Sequence, residues 1–381
     1  MRGWLGLVCL LALPFQAVAE TVRVATFNAS LTRTGPGLLL RAIEKGKDAQ
    51  ISNVVGIIQH IRPDILLINE FDYDVEMRAA RAFQEMLRTQ GAAIDYPYWF
   101  TTEPNTGRLS GFDLNNDGKT AGPDDAFGYG TFPGQYGMLL LSRYPIRTDE
   151  TRSFANLLWR DLPGATLPTH ADGTPFPSPD AQAVMRLSSK SHWDVPIETP
   201  NGPLHILASH PTPPVFDGPE NRNGLRNADE IKFWSLYLDG QAIQDDTGQT
   251  APIQPRPSVV LGDLNSDPRD GDSSHDAISK LIAHPALQDP APTSAGGTNA
   301  AAQGPANKNH QTDPAQDTAD WNDTRGPGNL RVDYVLPSKD LTVIDAGIFW
   351  PAPGDPLHPL LGSGKALSSD HRLVWVDINW D

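Results

Sequence analysis

The chain has 381 residues and a formal net charge of −16, from 30 Lys and Arg against 46 Asp and Glu. Its 33 Gly and 35 Pro argue against a helical bundle or coiled coil, while a 39% hydrophobic content is enough for a packed core. The acidic balance argues against binding nucleic acid or an anionic membrane by charge alone, so phosphate chemistry would need a local metal or a small basic patch.

The first nineteen residues have the pattern of a secretory signal peptide. Arg2 precedes an apolar run at residues 4–15, and residues 17–19 (Ala-Val-Ala) form a small-x-small cleavage site. The run is short for a membrane span, although a retained anchor is the alternative. Cleavage would remove Arg2 and the sole cysteine, Cys9, leaving 29 basic residues against 46 acidic ones. We therefore expect a periplasmic or extracellular protein without disulfides, whose chemistry depends on Asp, Glu, Asn and His.

Short apolar segments then alternate with helical patterns. Strands are predicted at residues 22–27, 65–69, 137–142, 185–197, 204–209, 258–261, 332–336, 341–349 and 372–378. Helices are predicted at 53–61, 77–87, 228–238 and 276–283. Residues 103–134 and 289–329 are rich in Gly, Pro, Asn and Asp, which is typical of functional or mobile insertions. The order of elements predicts one α/β domain over residues 20–381, with mixed sheets and helices outside them.

Polar side chains that can bind metal or phosphate stand at the ends of these predicted strands. They are Asn28, Glu70, His210, Asp263 and Asn265 after strands, and Asp333, Asp370 and His371 before strands. Because the start of an antiparallel strand lies beside the end of its neighbour, all of them are expected at one rim of the sheets. For any one of them alone, a turn hydrogen bond is the favoured interpretation.

The ordered motifs resemble the endonuclease/exonuclease/phosphatase superfamily, the deoxyribonuclease-I-like hydrolases, over roughly residues 22–378. The most specific segments are GDLNSDP at 262–268 and SSDHRLV at 368–374. Supporting segments are INEFD at 68–72, GMLLLSRYPI at 137–146, SHPTPP at 209–214 and RVDYV at 331–335. The resemblance implies two packed mixed β-sheets flanked by helices, a four-layer α/β sandwich.

The resemblance also implies hydrolysis of a phosphate ester by in-line attack of an activated water. It makes Glu70 the principal metal ligand, with Asn28 beside it on the metal or phosphate and Asp370 as a second ligand or water-binding group. Mg²⁺ or Mn²⁺ is the expected metal, with Ca²⁺ as a further option. Asp263 would orient or deprotonate the water, and Asn265 would hydrogen-bond a phosphate oxygen.

Two histidines complete the implied catalytic set. His371 would contact the phosphate as a cationic donor, kept protonated by Asp333. His210 would stabilise developing charge or protonate the leaving oxygen. The carboxylate that usually partners this histidine is not identifiable in the sequence. Other candidates near the substrate, for which scattered surface charge is an equal explanation, are Lys190, His192, Arg222, Arg226 and Asn227.

A second metal site is predicted at residues 113–124. Asp113, Asn115 and Asp117 occupy positions 1, 3 and 5 of a calcium-loop pattern, with Gly118 at position 6 and Asp124 at position 12. An Asx-rich surface turn is the alternative.

The function predicted from the sequence is a secreted metal-dependent phosphoesterase that hydrolyses phosphate mono- or diesters. Small soluble esters fit best by exclusion, because the sequence has neither a basic stripe nor an apolar lipid-binding patch. The alternatives are a nuclease acting on extracellular DNA or RNA, and a non-catalytic, calcium-stabilised binding module. We expect a monomer without a membrane anchor, with nucleic acid as a partner only if it is the substrate.

Overall fold

Two β-sheets form the centre of the protein, which is described by a computed structural model over residues 20–254 and 256–380. The predicted signal peptide lies outside these described residues. The strands are β1 Val22–Asn28, β2 Ile65–Asn69, β3 Tyr98–Phe100, β4 Met138–Ser142, β5 Arg152–Ser153, β6 His192–Thr199, β7 Gly202–Ser209, β8 Ile243–Gln244, β9 Thr250–Ala251, β10 Ser258–Asp263, β11 Ala319–Asp320, β12 Asn329–Leu330, β13 Asp333–Pro337, β14 Thr342–Ile348 and β15 Val374–Asn379.

Seven α-helices accompany these strands in the described residues. They are α1 Leu38–Lys45, α2 Ala49–Ile61, α3 Arg78–Thr89, α4 Pro179–Val184, α5 Arg222–Leu238, α6 His275–Ile282 and α7 Ala295–Ala300. Short 3₁₀ helices lie at Pro123–Asp125, Trp159–Asp161, Ala306–Asn309, Pro314–Gln316, His358–Leu361 and Gly364–Ala366. None of the helices in the described residues has the length and apolar content to cross a membrane.

Both large sheets are mixed, as the sequence predicts. The first has the order β14-β15-β1-β2-β4-β3 and the second β13-β10-β7-β6-β5. Only β1 and β2 in the first sheet, and β7 and β10 in the second, are parallel neighbours. This arrangement brings the carboxyl ends of β1, β2, β7 and β10 towards one rim, together with the start of the antiparallel strand β13.

Successive side chains along a strand face opposite sides of its sheet, so each sheet packs against the other sheet on one side and against helices on the other. On β7, Leu204, Ile206 and Ala208 pack between the two sheets, whereas Leu207 faces outward against Trp234 of α5. Helix α6 lies in the same outer layer, and helices α1, α2 and α3 share the core of the first sheet. The structure therefore confirms the predicted sandwich of two mixed sheets between helical layers.

The predicted strand at residues 185–197 is wrong in its first half. Ser178 caps helix α4, and the extended segment after it does not pair as part of β6, which begins only at His192. Met185 and Leu187 are buried against the α5 layer, so their apolar character reflects core packing. Helix α1, absent from the prediction, lies between Gly37 and Gly46, both of which adopt left-handed backbone conformations.

Gly262 allows the backbones of β10 and β7 to approach each other closely. Its φ is 144°, and a Cβ at this position would overlap the backbone oxygen of Ser209, the residue before His210. We expect Gly262→Ala to lower the free energy of unfolding by roughly 2–3 kcal/mol, because both strain and overlap must be relieved. Chemical denaturation measures this loss. The control is Gly248→Ala, which has a positive φ but open space around it; equal losses in both variants would contradict the packing argument.

Candidate active site

Strand register gathers the polar residues that the sequence predicts at one rim. Asn28 pairs with Asn69 at the ends of the parallel strands β1 and β2, and Glu70 follows directly. Asp263 at the end of β10 pairs with Asp333 at the start of β13. The amide N–H of Asp263 also donates to Asn69 Oδ1 at 3.2 Å, which ties the two sheets together at the rim. No motif in the sequence indicates this role of Asn69.

Asp263 lies at the centre of the site and is 1% exposed. Its Oδ2 accepts a hydrogen bond from Asn28 Nδ2 at 3.0 Å and lies 3.3 Å from His210 Nε2 and 3.7 Å from His371 Nε2. Burial alone would raise the pKa of Asp263, but the two imidazoles and the Asn28 amide outweigh it and hold that pKa below its usual range. Asp263 is therefore ionised at neutral pH.

His371 forms a buried ion pair with Asp333. Its Nδ1 lies 2.9 Å from Asp333 Oδ2, and burial alone would lower its pKa. The carboxylates of Asp333 and Asp263 outweigh burial and raise the pKa of His371 well above its usual value. The site therefore holds an imidazolium between two carboxylates at neutral pH.

His210 has the opposite protonation state. It is 2% exposed, and burial, assisted by the charge of Lys190, lowers its pKa to about 4. Its Nε2 lies 3.3 Å from Asp263 Oδ2, whereas its Nδ1 has no hydrogen-bond partner within the described part of the chain. No carboxylate of the described residues therefore partners Nδ1. At neutral pH His210 can donate a hydrogen bond as a neutral imidazole but is not an imidazolium acid.

Glu70 and Asp370 form the acidic side of the site. Burial, followed by the charge of Asp370, raises the pKa of Glu70 to about 7. Glu70 Oε1 accepts from Asn28 Nδ2 at 3.3 Å, while Asp370 accepts from Ser30 Oγ at 3.3 Å and from Trp321 Nε1 at 3.1 Å. Neither carboxylate has a cationic hydrogen-bond partner among the described residues. Such a pair fits a hard divalent ion, whose charge would offset the repulsion between them. The NH₂ group of Asn28 donates to Glu70 and Asp263, so ligation of a metal through the amide oxygen would require the amide to be flipped.

A second set of ligand atoms lies deeper. One ligand atom from each of Asp263, Asp333 and His371 lies within 4.8 Å of the others, and all three residues are buried. The imidazolium of His371 already supplies positive charge to both carboxylates at this position. Glu70 feels the charges of His371 and Lys190, but neither Glu70 nor Asp370 forms an ion pair within the described residues. The residues therefore fit a metal better on that side.

Asn265 and Lys190 meet beside His210. The backbone N–H of Asn265 donates to Asp263 Oδ1 at 2.9 Å, and its Nδ2 donates to the carbonyl oxygen of Pro211 at 3.1 Å. Lys190 Nζ lies 3.4 Å from the same carbonyl oxygen. Lys190 is only 6% exposed, so of the two explanations left open by the sequence, scattered surface charge does not describe it.

Trp321 is a further residue of the site that the sequence did not reveal. It follows β11 in the 289–329 insertion, and its ring packs edge-on against His371 with centroids 5.4 Å apart. The indole N–H also donates to Asp370, as described above. The insertion therefore supplies one wall of the site.

The other candidates near the substrate have structural partners. Arg226 is buried and donates to the carbonyl oxygens of Leu187 and Arg186, and Asn227 donates to those of Thr212 and Leu264. They anchor α5 to the loops below it. The two candidates that remain have similar contacts: Arg222 donates to the carbonyl of Leu114, and His192 lies between Ser188 and the carbonyl of Glu230.

The predicted calcium loop has the hydrogen bonds of an Asx turn. Asp113 accepts from the backbone N–H groups of Asp117 and Gly118, and Asn115 accepts from Asp117 as well. Asp124 lies 3.9 Å from Arg222 and does not cluster with the carboxylates of Asp113 and Asp117. These contacts favour the turn interpretation; calcium binding by Asp113, Asn115, Asp117 and Asp124 stays a prediction.

The chain matches a known protein family over most of its length. The family model described as "Endonuclease/Exonuclease/phosphatase family" matches residues 25–371. A search of curated proteins finds no match. Among solved structures, an endonuclease/exonuclease/phosphatase from Beutenbergia cavernae is 16% identical with a TM-score of 0.50, covering 94% of this chain and 72% of that one. Its similarity supports the fold.

Two further solved structures resemble the chain. A family protein from Leptotrichia buccalis is 13% identical with a TM-score of 0.49, covering 94% of this chain and 99% of its own. Beta toxin from Staphylococcus aureus, whose structure contains magnesium ions, is 12% identical with a TM-score of 0.46, covering 95% and 100%.

Proposed function

This chain belongs to the endonuclease/exonuclease/phosphatase family, and we propose that it is a secreted, metal-dependent phosphoesterase acting on small soluble phosphate esters. Members of the family hydrolyse phosphoester bonds. The observation that carries the proposal is the charge arrangement around Asp263: an ionised carboxylate between a neutral and a cationic imidazole, beside the Glu70–Asp370 pair. Water activation and phosphate binding need groups of these types at one place.

Each residue has a distinct task in this proposal. Asp263 accepts a hydrogen bond from the attacking water and orients it towards phosphorus. The imidazolium of His371 and the amide of Asn265 bind phosphoryl oxygens, and Asp333 keeps His371 protonated. His210 donates a hydrogen bond to the oxygen on which negative charge develops.

A divalent cation would be held by Glu70 and Asp370, with Asn28 beside them. When bound, Mg²⁺ or Mn²⁺ would neutralise phosphoryl charge and lower the pKa of attached water. The donor set agrees with this class of metal, because all its atoms are hard oxygens.

The net charge of the protein favours small substrates over long polyanions. A net charge of −16 repels a long polyanion, and the positive charge in the site comes from single buried side chains rather than an exposed basic stripe. The signal-like residues 1–19 support export, to the periplasm or beyond the cell.

Hydrolysis assays test the proposal. Purified protein should release phosphate or alcohol from a panel of small phosphomonoesters and phosphodiesters with Mg²⁺ or Mn²⁺, and EDTA should abolish turnover. Preference for single- or double-stranded nucleic acid over every small ester would favour the nuclease alternative. An absence of turnover with Mg²⁺, Mn²⁺ and Ca²⁺, accompanied by calcium-dependent stabilisation, would favour the binding module and contradict the proposal.

A further inference from the structure

Lys190 occupies the phosphate-binding side of the site through the register of the β6–β7 hairpin. His192 of β6 pairs with Ser209 of β7, and the two segments continue beyond this last pair to Lys190 and Pro211, which are in contact. The Pro211 carbonyl then accepts from Lys190 Nζ at 3.4 Å and from Asn265 Nδ2 at 3.1 Å. The ammonium and the proposed phosphate-binding amide therefore converge next to His210.

The carboxylate of Glu230 on α5 holds together the two segments that contain Lys190 and Pro211. One oxygen of its buried carboxylate accepts from the backbone N–H of Ser189 at 2.6 Å, and the other accepts from that of Thr212 at 2.7 Å. Ser189 precedes Lys190 and Thr212 follows Pro211, so a single carboxylate holds both sides of the contact. The lysine is consequently placed in the site by the fold rather than by chance at the surface.

The Lys190 ammonium has unused hydrogen-bonding capacity. It carries three donors, and its single hydrogen bond among the described residues is the long one to Pro211. Burial lowers the pKa of Lys190, and the charges of nearby carboxylates act against this lowering. These carboxylates belong to Glu230, Asp263 and Glu70, and none of them lies within ion-pair distance of Nζ in the described chain. Burying an ammonium with so few direct partners is unfavourable unless an anion completes its coordination.

We propose that Lys190 is a catalytic residue that binds a non-bridging oxygen of the substrate phosphoryl group, beside Asn265. This inference rests on the proposed function and adds to it a buried amine donor for the phosphoryl group. The oxygen of water forms the new P–O bond and releases a proton, and the leaving oxygen takes the electron pair of the broken P–O bond. Overall, the proton released by water ends on the leaving oxygen, and Lys190 neither gives nor takes a proton. Its donors stabilise the charge on the phosphoryl oxygens as the transition state forms.

Two substitutions at Lys190 and one elsewhere test this role. Lys190→Met should lower kcat/KM by about 10²–10³-fold, mostly through kcat, because one donor to transition-state charge is lost. Lys190→Arg should retain more activity, since it keeps the charge. The matched control is Lys232→Met on α5, whose Nζ lies 3.7 Å from Asp229 and donates to the carbonyl oxygen of Gly164. Its loss should leave kcat/KM unchanged.

Two readouts separate phosphate binding from a structural role. With Mg²⁺ present, calorimetry should show that Lys190→Met binds inorganic phosphate at least about tenfold more weakly than wild type. Ethylammonium should restore part of the activity of Lys190→Ala, whereas ethanol should not. Unchanged phosphate affinity in Lys190→Met, or failure of ethylammonium to rescue Lys190→Ala, would overturn the proposal.

The calorimetric experiment also distinguishes this inference from the proposed function. If wild type hydrolyses none of the esters but loses phosphate affinity on Lys190→Met, the proposed function fails and phosphate binding by Lys190 is supported. If wild type hydrolyses the esters and Lys190→Met stays within threefold of it, the proposed function holds and the role of Lys190 is refuted.

Discussion

Asp263→Asn should lower kcat for hydrolysis of a small phosphate ester by about 10³-fold at neutral pH, the middle of the range for losing a group that orients or deprotonates the attacking water. The carboxylate is ionised because two imidazoles and an amide face its Oδ2. Asn keeps the size of the side chain and an oxygen that can accept from the Asn265 backbone. It removes the negative charge that orients the water. Steady-state kinetics under saturating Mg²⁺ measures the loss.

A matched control is available at a distance from the site. Asp245 is also buried and also accepts several hydrogen bonds, in its case from Thr247, Gln249 and Arg152. Asp245→Asn should leave kcat within about twofold of wild type even where it lowers stability. A tenfold or smaller loss in Asp263→Asn, or equal losses in both variants, would refute the assignment of Asp263.

Glu70→Gln should abolish metal-dependent activity and also remove the stabilisation that metal gives. A ligand at 100 times its Kd raises the free energy of unfolding by about 2.7 kcal/mol, so Mg²⁺ or Mn²⁺ should raise the Tm of wild type measurably. Without the Glu70 carboxylate this rise should disappear, and kcat/KM should fall by about 10³-fold. Thermal unfolding with and without metal is the measurement.

The pH dependence of the metal-free protein gives an independent check on Glu70. Because burial and Asp370 raise its pKa from 4.5 to about 7, the folded state binds more protons than the unfolded state between these values. This group therefore favours folding below pH 4.5 and loses that contribution as the pH rises through about 7. Glu70→Gln should flatten this part of the stability profile, whereas Glu85→Gln at the exposed surface of α3 should not. If the stability profile of Glu70→Gln is the same as that of wild type, burial and repulsion by Asp370 do not raise the pKa of Glu70.

Local patterns in the sequence were sufficient to predict much of the framework. The strand at residues 65–69 is correct at both ends because it is apolar throughout and is bounded by Pro63-Asp64 and Glu70. The predicted strand ends also identify residues at the rim. Asp263 at the end of one strand and Asp333 at the start of another are paired in the antiparallel ladder of β10 and β13. Periodicity could not separate residues 185–191 from β6, because side chains buried under α5 have the same apolar character as strand residues.

The residues that the sequence missed depend on contacts between distant segments. The burial of Lys190 requires Glu230, forty positions later, to hold the segments on both sides of it. One local signal was available: the Asn-Gly turn fixes the β6–β7 register, and the two segments continue beyond it to the contact between Lys190 and Pro211. Trp321 had no comparable signal, because its insertion has few apolar residues and its place beside His371 is set by the bridge between Ala319 and His371.

A divalent cation should bind between Glu70 and Asp370, in the pocket that also contains Asp263 and His371. Anomalous diffraction from crystals grown with Mn²⁺ tests it directly. We expect a peak within direct coordination distance of both Glu70 and Asp370, with His371 still paired to Asp333. A peak bound instead by Asp263, Asp333 and His371, or no peak in this pocket at saturating Mn²⁺, would contradict the account.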